Sequence, residues 1–445
     1  MKHVLILGSG MVAAPIIEYL LNKEYFVGVA GIDTERSEEL INNHPNGKAI
    51  YWDADDVEGL KKLAVDYDLL VSLLPYKFHV MVAKVCLEFG KHMVTTSYVK
   101  PEMQDLHNEA VEKGLLLLNE IGLDPGIDHM SAMKIIYDVH QKGGEIEEFY
   151  SITGALPDPA IVDNPLGYKF SLSPKGVILA SKNDAEYLKD GLKVYVEPKK
   201  LFQDIFEYNF PDVGVLDVYP NRNSIDYIDI YKIPEVKTIL RGTFRLKNWC
   251  LALDVIKQLN LLCDEKADYS GKTFADFVRQ TAELEAGDIK ESIAKKVNIP
   301  VDSPAIESLA WLGLLDEKDM GRKEDSPFEI TSDVMIEKMW MEEGDRDMVA
   351  MQHVFKVKWQ NGDQEVIKSR LLDFGDPKGH TSVAKTVALP AAVAVDQILK
   401  GNIALSGVYR PVEKVIYEPV MKALTEMNIE MVEEFGLPLN QNIEK

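Results

Sequence analysis

The sequence predicts an α/β protein, with a doubly wound parallel sheet at its N-terminal end followed by a mixed α/β portion and a small helical one. Three observations predict this. Short apolar strands alternate with helical patterns from His3 to Leu118, and that alternation means a parallel sheet covered by helices on both faces. From about Glu145 the rhythm changes: prolines recur at Pro157, Pro159 and Pro165, and β-type segments dominate to about Arg245. From about Leu246 to Met351 the chain turns helical and acidic.

The strand-like runs of the first part are His3–Leu7, Phe26–Ala30, Ala49–Trp52, Leu69–Leu74, Met93–Thr96 and Leu115–Leu118. The continuous apolar run Val4-Leu5-Ile6-Leu7 suits a central strand buried on both faces. Helical patterns lie between the strands at Val12–Leu21, Val57–Ala64, Phe78–Phe89 and Glu102–Lys113. In the later chain, Phe274–Glu285 and Pro304–Leu315 carry apolar residues at helical spacing. Val354–Trp359 and Glu365–Phe374 flank an Asn361-Gly362 turn, which reads as a hairpin returning the chain to the second domain's sheet. Ser382–Leu399 reads as an apolar helix that packs back onto the first domain.

A chain of 445 residues is too long for one ordinary core, so several domains are expected. A formal net charge of −23 argues against nucleic acid or an anionic membrane as partner, because no dense run of Lys and Arg reverses the field locally. No apolar run approaches the roughly 20 residues that span a bilayer, and the N-terminus enters a strand at His3 without a signal-peptide region. A cytoplasmic protein is the expectation. Cys86, Cys250 and Cys263 have no metal-ligand or redox spacing and read as buried free thiols. The nine histidines form no ligand cluster, and no metal is expected.

The first strand runs into Gly8-Ser9-Gly10-Met11-Val12-Ala13, a GxGxxA loop that opens a helix. The first glycine permits the tight turn, the second lets backbone approach a pyrophosphate, and the small third residue lets helix pack on strand. Such a loop after a strand and before a helix marks a Rossmann domain that binds NAD(P). Asp33 lies 20 residues past Ala13, where a carboxylate takes the ribose hydroxyls of NAD. Its charge would repel the 2′-phosphate of NADP, and Arg36 is near enough in sequence to offset it. Asp33 reads equally as the N-cap of the next helix, so NAD against NADP stays open with a lean toward NAD.

Three further motifs follow the ends of strands, where ligands of open α/β sheets bind. They are Leu74-Pro75-Tyr76, Thr95-Thr96-Ser97-Tyr98, and Glu120-Ile121-Gly122-Leu123-Asp124-Pro125-Gly126-Ile127-Asp128-His129. Tyr98 and Asp124 are site candidates, and turn-forming residues as the alternative. His129, beside a helix start, reads as structural or as a pocket wall.

Leu74–His79, Thr96–Tyr98 and Asn119–His129 resemble the glutamate-forming saccharopine dehydrogenase (saccharopine reductase) family. So do Asp163–Ser171, Tyr219–Arg222, Ile239–Arg245, Ala310–Leu314 and Arg346–Val349, in order over nearly the whole chain. The resemblance implies a Rossmann domain (1–128, with C-terminal helices 381–445 packed on it), an inserted α/β substrate-binding and dimerisation domain (129–245 and 352–380), and a helical domain (246–351). It implies a homodimer. Gly8, Ser9, Gly10, Met11, Val12, Asp33, Asp53, Leu74, Thr96 and Pro125 are the expected dinucleotide contacts, counting the loop and Asp33 read above. By the resemblance, Ser97, Tyr98, Asp124, Arg222, Thr243, Phe244 and Arg245 line the substrate pocket, with Asp124 and Tyr98 as the candidates for proton transfer.

Saccharopine carries three carboxylates and two amines, and an acidic protein holds it only where guanidinium groups reverse the field, which Arg222 and Arg245 can do. The implied activity interconverts saccharopine with L-glutamate and 2-aminoadipate 6-semialdehyde through an imine, in lysine metabolism. Two alternatives stand beside it: an imine reductase making carboxynorspermidine-type polyamine precursors, and a non-catalytic NAD(P)-binding sensor. Two departures from the family pattern are visible. Ile32 stands where the family shows an Arg for the NADP phosphate, and Thr153 stands at or beside a family Cys.

Overall fold

Val4, Leu5, Ile6 and Leu7 are fully buried, and the strand they form organises the sheet around it. The structure, a computed structural model, describes residues 1–171 and 173–443. Strand β1 (His3–Leu7) pairs in parallel with β2 (Phe26–Gly31) on one side and with β4 (Leu69–Ser72) on the other. Beyond β2 lies β3 (Gly47–Tyr51); beyond β4 lie β5 (His92–Thr95), β6 (Leu116–Leu118) and a late strand, Gly407–Tyr409, all parallel. The chain order reverses at β1, so the crevice beyond the carboxyl ends of β1 and β4 is the ligand position of a doubly wound sheet.

Helices cover both faces. α1 (Ala13–Asn22) buries Ala13, Ile16, Ile17 and Leu20, and packs against the helix Ser382–Leu399. The Tyr25 hydroxyl donates to Asp396 of that helix at 2.8 Å. Ser382–Leu399 is long and apolar enough to cross a membrane by composition, and 72% of it is buried inside the fold. On the opposite face, α3 (Val57–Ala64) and α4 (His79–Phe89) bring Leu60, Ala64, Val82 and Cys86 onto Leu5, Leu7, Leu70 and Met93.

α2 (Thr34–Ile41) is the helix that Asp33 caps, although only Ser37 and Ile41 of its residues are buried and no apolar stripe marks it. The expected helix 102–113 is two pieces, α5 (Pro101–Gln104) and α6 (His107–Glu112), interrupted at Asp105-Leu106. α7 (Ile127–Gln141) follows the loop after β6.

The chain forms two compact units where the sequence suggested three domains: Met1–Ile146 with Val357–Phe435, and Glu147–Lys356 with Gly436–Lys445. In the second unit, strands Phe206–Phe210, Gly214–Pro220, Thr238–Arg245, Glu145–Pro157 and Asp347–Lys358 lie side by side in that order. The helices between Leu246 and Met351 belong to this same unit, anchored at its start by Trp249 packed on Tyr168 and Phe170. The hairpin turn at Asn361-Gly362 is formed, with the Trp359 N–H donating to the Asp363 carbonyl at 2.8 Å. Cys86 and Cys250 are buried, but Cys263 is only partly so, which corrects the expectation of three buried thiols.

Candidate active site

The glycine loop leaves β1 with Gly8 at φ +106°, a conformation that L side chains rarely adopt. A Cβ there would also come within 3.2 Å of the Leu73 carbonyl oxygen, so the first position is fixed as glycine twice over. Gly8 N–H donates to the Ala30 carbonyl at 2.8 Å, tying the loop to the end of β2. Gly10 is exposed, and a Cβ built on it meets nothing within 4 Å, which leaves backbone open to an approaching group. Val12 is the N-cap of α1 and offers no side-chain acceptor; the Ala13 N–H donates to the Gly10 carbonyl at 3.1 Å, and the positive end of the helix beyond it is left for an anion. Fully buried Ala13 lets α1 close on the sheet. These features fit a dinucleotide pyrophosphate, with Ser9 and half-exposed Met11 at the rim.

Asp33 lies beside this loop. Its backbone carbonyl accepts from Ser9 Oγ at 3.5 Å, and its carboxylate Oδ1 accepts the Arg36 N–H at 2.9 Å as the N-cap of α2. Asp53 is exposed just after β3 and accepts the Asp55 N–H at 2.9 Å. Leu74 is half-buried after β4.

The loops after β5 and β6 are laced together. Glu120 N–H donates to the Ser97 carbonyl at 3.1 Å, and Val99 N–H donates to Glu120 Oε1 at 2.8 Å. A Cβ on Gly122 would stand 3.1 Å from Thr96 Cβ, and one on Gly126 would stand 2.0 Å from the Gly122 carbonyl oxygen, at φ +150°. Only glycine fits at Gly126, and this close packing sets Asp124 and buried Pro125 in place. There the Tyr98 hydroxyl donates to Asp124 Oδ1 at 3.1 Å. Thr96, Ser97, Tyr98, Asp124 and Pro125 thus share the carboxyl side of the sheet with the glycine loop, all within the first unit.

Three supporting residues escaped the sequence reading of the site. His79, at the start of α4, sits between Ser72 Oγ (2.9 Å from Nδ1) and Ser97 Oγ (2.7 Å from Nε2). Burial pushes its imidazole down to about 4. Glu120 is buried between His129 Nε2 at 2.8 Å and Arg410 Nε at 2.9 Å. Burial alone would raise its carboxyl, but His129, Arg410 and the Val99 N–H together hold it below the usual range. His79 and Glu120 fall inside motifs already singled out, whereas nothing local marked Arg410. His129 is fully buried as the partner of Glu120, a structural role.

The remaining expected residues belong to the second unit. Arg245 is 6% exposed, and its guanidinium carbon lies 5.3 Å from the Tyr168 ring, 5.7 Å from Trp249 and 5.8 Å from Tyr219. Its contacts to the Tyr219 hydroxyl (3.4 Å) and the Phe244 carbonyl (3.5 Å) are long, Nε has no partner, and no carboxylate pairs with it among the described residues. Thr243 is half-buried on the same face of the strand, opposite Tyr219. Phe244 points to the other face, into Tyr208 and Phe210, so its side chain is core and only its backbone is on offer beside Arg245. Arg222 is exposed at φ +55°. Among the described residues no group of three or more His, Cys, Asp and Glu is placed to hold a metal.

Comparison with known proteins agrees with this geometry. Residues 4–118 match the saccharopine dehydrogenase NADP binding domain, and residues 122–429 match the saccharopine dehydrogenase C-terminal domain. The chain is 37% identical to the saccharopine dehydrogenase [NADP(+), L-glutamate-forming] of Schizosaccharomyces pombe, covering 98% of this chain and 99% of that one. It is 35% identical to the Saccharomyces cerevisiae enzyme of the same name over 96% of this chain and 97% of that one. The solved structure of apo histidine-tagged saccharopine dehydrogenase (L-Glu forming) from Saccharomyces cerevisiae superimposes with a TM-score of 0.90 at 34% identity, covering 98% of this chain and all of that one. With the two matches together spanning residues 4–118 and 122–429, the chain belongs to the saccharopine dehydrogenase family of oxidoreductases.

Proposed function

We propose that this enzyme interconverts saccharopine with L-glutamate and 2-aminoadipate 6-semialdehyde, a reaction of lysine metabolism, using a nicotinamide dinucleotide. The observation that carries the reading is the Tyr98–Asp124 contact, built on the same sheet edge as the glycine loop, in a chain of this family. When bound at that loop, the dinucleotide supplies or removes the hydride at the carbon–nitrogen bond. The chain's own groups handle the protons and the charges. In the synthetic direction glutamate's amine adds to the aldehyde carbon, a proton leaves nitrogen, and water leaves to give the imine. Asp124, accepting from Tyr98 at Oδ1, is a carboxylate held ready to take that proton. Tyr98 fixes the orientation of the carboxylate and, as a donor, can return a proton to the departing oxygen.

Arg245 supports the substrate assignment. A buried guanidinium without an anionic partner is costly, and the structure keeps one in an aromatic cage. A substrate carboxylate completes it, which favours saccharopine over polyamine-type substrates with fewer carboxylates. A homodimer belongs to the same proposal, on the family resemblance, and light scattering checks it. The relatives are named for NADP(+), and the choice between dinucleotides in this chain falls to the residues after β2. The test is the initial rate of nicotinamide absorbance change with saccharopine, run separately with NAD and NADP. A saccharopine-dependent rate is expected. Protein that binds a dinucleotide yet gives no rate with either would overturn the proposal.

A further inference from the structure

We infer that Asp33 makes this enzyme prefer the dinucleotide without a 2′-phosphate, NAD(H), over NADP(H), although the relatives above are named for NADP(+). The inference rests on the glycine loop binding a dinucleotide, and not on the identity of the second substrate.

The carboxyl end of β2 borders that loop directly. Gly8 N–H is bonded to Ala30 O at 2.8 Å, a Cβ on Gly31 would lie 3.6 Å from Ser9 Oγ, and Ser9 Oγ reaches the Asp33 carbonyl at 3.5 Å. The residues just after β2 are therefore the ones that meet the ribose next to the pyrophosphate. Ile32, 70% exposed, offers that ribose no donor. Asp33 offers a carboxylate whose orientation is fixed by the Arg36 N–H on Oδ1, and it is exposed to a ligand. A vicinal diol brings two hydroxyl donors to such an acceptor, whereas a 2′-phosphate brings a second anion.

Arg36, the cation nearest to Asp33 in the sequence, points to another acidic partner. Arg36 stands one turn along α2 with Nη1 on Glu39 at 2.9 Å. The neighbouring loop after β3, tied to β2 by Trp52 N–H on the Gly31 carbonyl at 3.0 Å, adds Asp53, Asp55 and Asp56. Both ions face solvent, so screening limits the discrimination to roughly tenfold or somewhat more.

The experiment is equilibrium binding of NADH and of NADPH to the full-length protein by calorimetry, without saccharopine, which separates this inference from the proposed activity. NADH is expected to bind about tenfold tighter. Asp33→Asn keeps an N-cap acceptor, so the thermal midpoint holds while the NADH:NADPH ratio moves toward one. Ile32→Arg combined with Asp33→Ser is expected to invert the preference. Equal or tighter NADPH binding by the unmodified protein would overturn the inference. So would an unmoved ratio in Asp33→Asn, loss of NADPH binding in Arg36→Ala that exceeds the loss of NADH binding, or failure to bind either dinucleotide.

Discussion

The imidazole of His79 holds the hydroxyl of Ser97, with Nε2 2.7 Å from Ser97 Oγ, while its other nitrogen lies 2.9 Å from Ser72 Oγ. A neutral ring has one donor and one acceptor, so the serine–histidine–serine chain, buried at Ser72 and His79, is satisfied without charge. Ser97 immediately precedes Tyr98, and His79 thereby acts as a positioning residue for the loop after β5. His79→Leu is expected to lower kcat/KM for saccharopine about tenfold, with His79→Gln restoring much of it, as steady-state kinetics would show.

The same burial gives a pH signature. The folded imidazole titrates near 4, whereas the unfolded one titrates near 6.5. Between those values the unfolded chain binds the extra proton, so stability is full above 6.5 and declines as pH falls toward 4. The decline is at most about 3 kcal/mol. Urea unfolding at pH 7 and pH 4.5 checks this: wild type loses more stability than His79→Gln, and equal losses would refute the assignment.

Glu120 links three segments: Val99 after β5, His129 on α7 and Arg410 after the strand Gly407–Tyr409. Glu120→Gln leaves Arg410 and the histidine without their anion and is expected to cost about 2–4 kcal/mol in chemical denaturation. Its carboxyl is held below the usual range in the fold, so its contribution is present above about pH 4.5 and is lost as pH falls through the lower folded value. Because Glu120 also bonds Val99 next to Tyr98, kcat falls more than KM rises.

Much of this architecture was legible locally. Six of the seven strands of the first sheet announced themselves because each is a short apolar run, and the glycine loop because its spacing is imposed by backbone geometry. The strand Gly407–Tyr409 was not legible, since three residues carry no periodicity and its partner β6 lies far back in the chain. Arg410 was invisible for the same reason: it meets Glu120 across 290 positions, which no local pattern encodes. Phe244 shows a different limit. Its neighbours Thr243 and Arg245 share one face of a strand, and period-two alternation turns Phe244 to the other.

Tyr98 and Asp124 divide a single proton task, so their substitutions are expected to be unequal. Tyr98→Phe leaves the carboxylate in place without its donor and lowers kcat about threefold to tenfold. Asp124→Asn removes the acceptor and lowers kcat about 10- to 100-fold, within the usual range for general acid–base groups. The double variant should fall little below Asp124→Asn, because both act on the same proton. Unchanged kinetics in both single variants would remove the pair from the chemistry.

Arg245 offers the sharpest separation of stability from function. Its guanidinium is buried among Tyr168, Tyr219 and Trp249 with no carboxylate partner, so the free enzyme bears a desolvated charge. Arg245→Met replaces it with an apolar chain of similar length that the same rings can pack around. Stability is expected to hold or to rise by about 1–3 kcal/mol, as when buried charges give way to apolar groups. The same variant lacks the fork that binds a carboxylate in two bonds, and KM for saccharopine is expected to rise about 100-fold with dinucleotide affinity unchanged. Thermal unfolding and steady-state kinetics on one preparation decide the matter. A variant that loses stability and keeps its KM would make Arg245 a structural cation and return the substrate carboxylates to other residues.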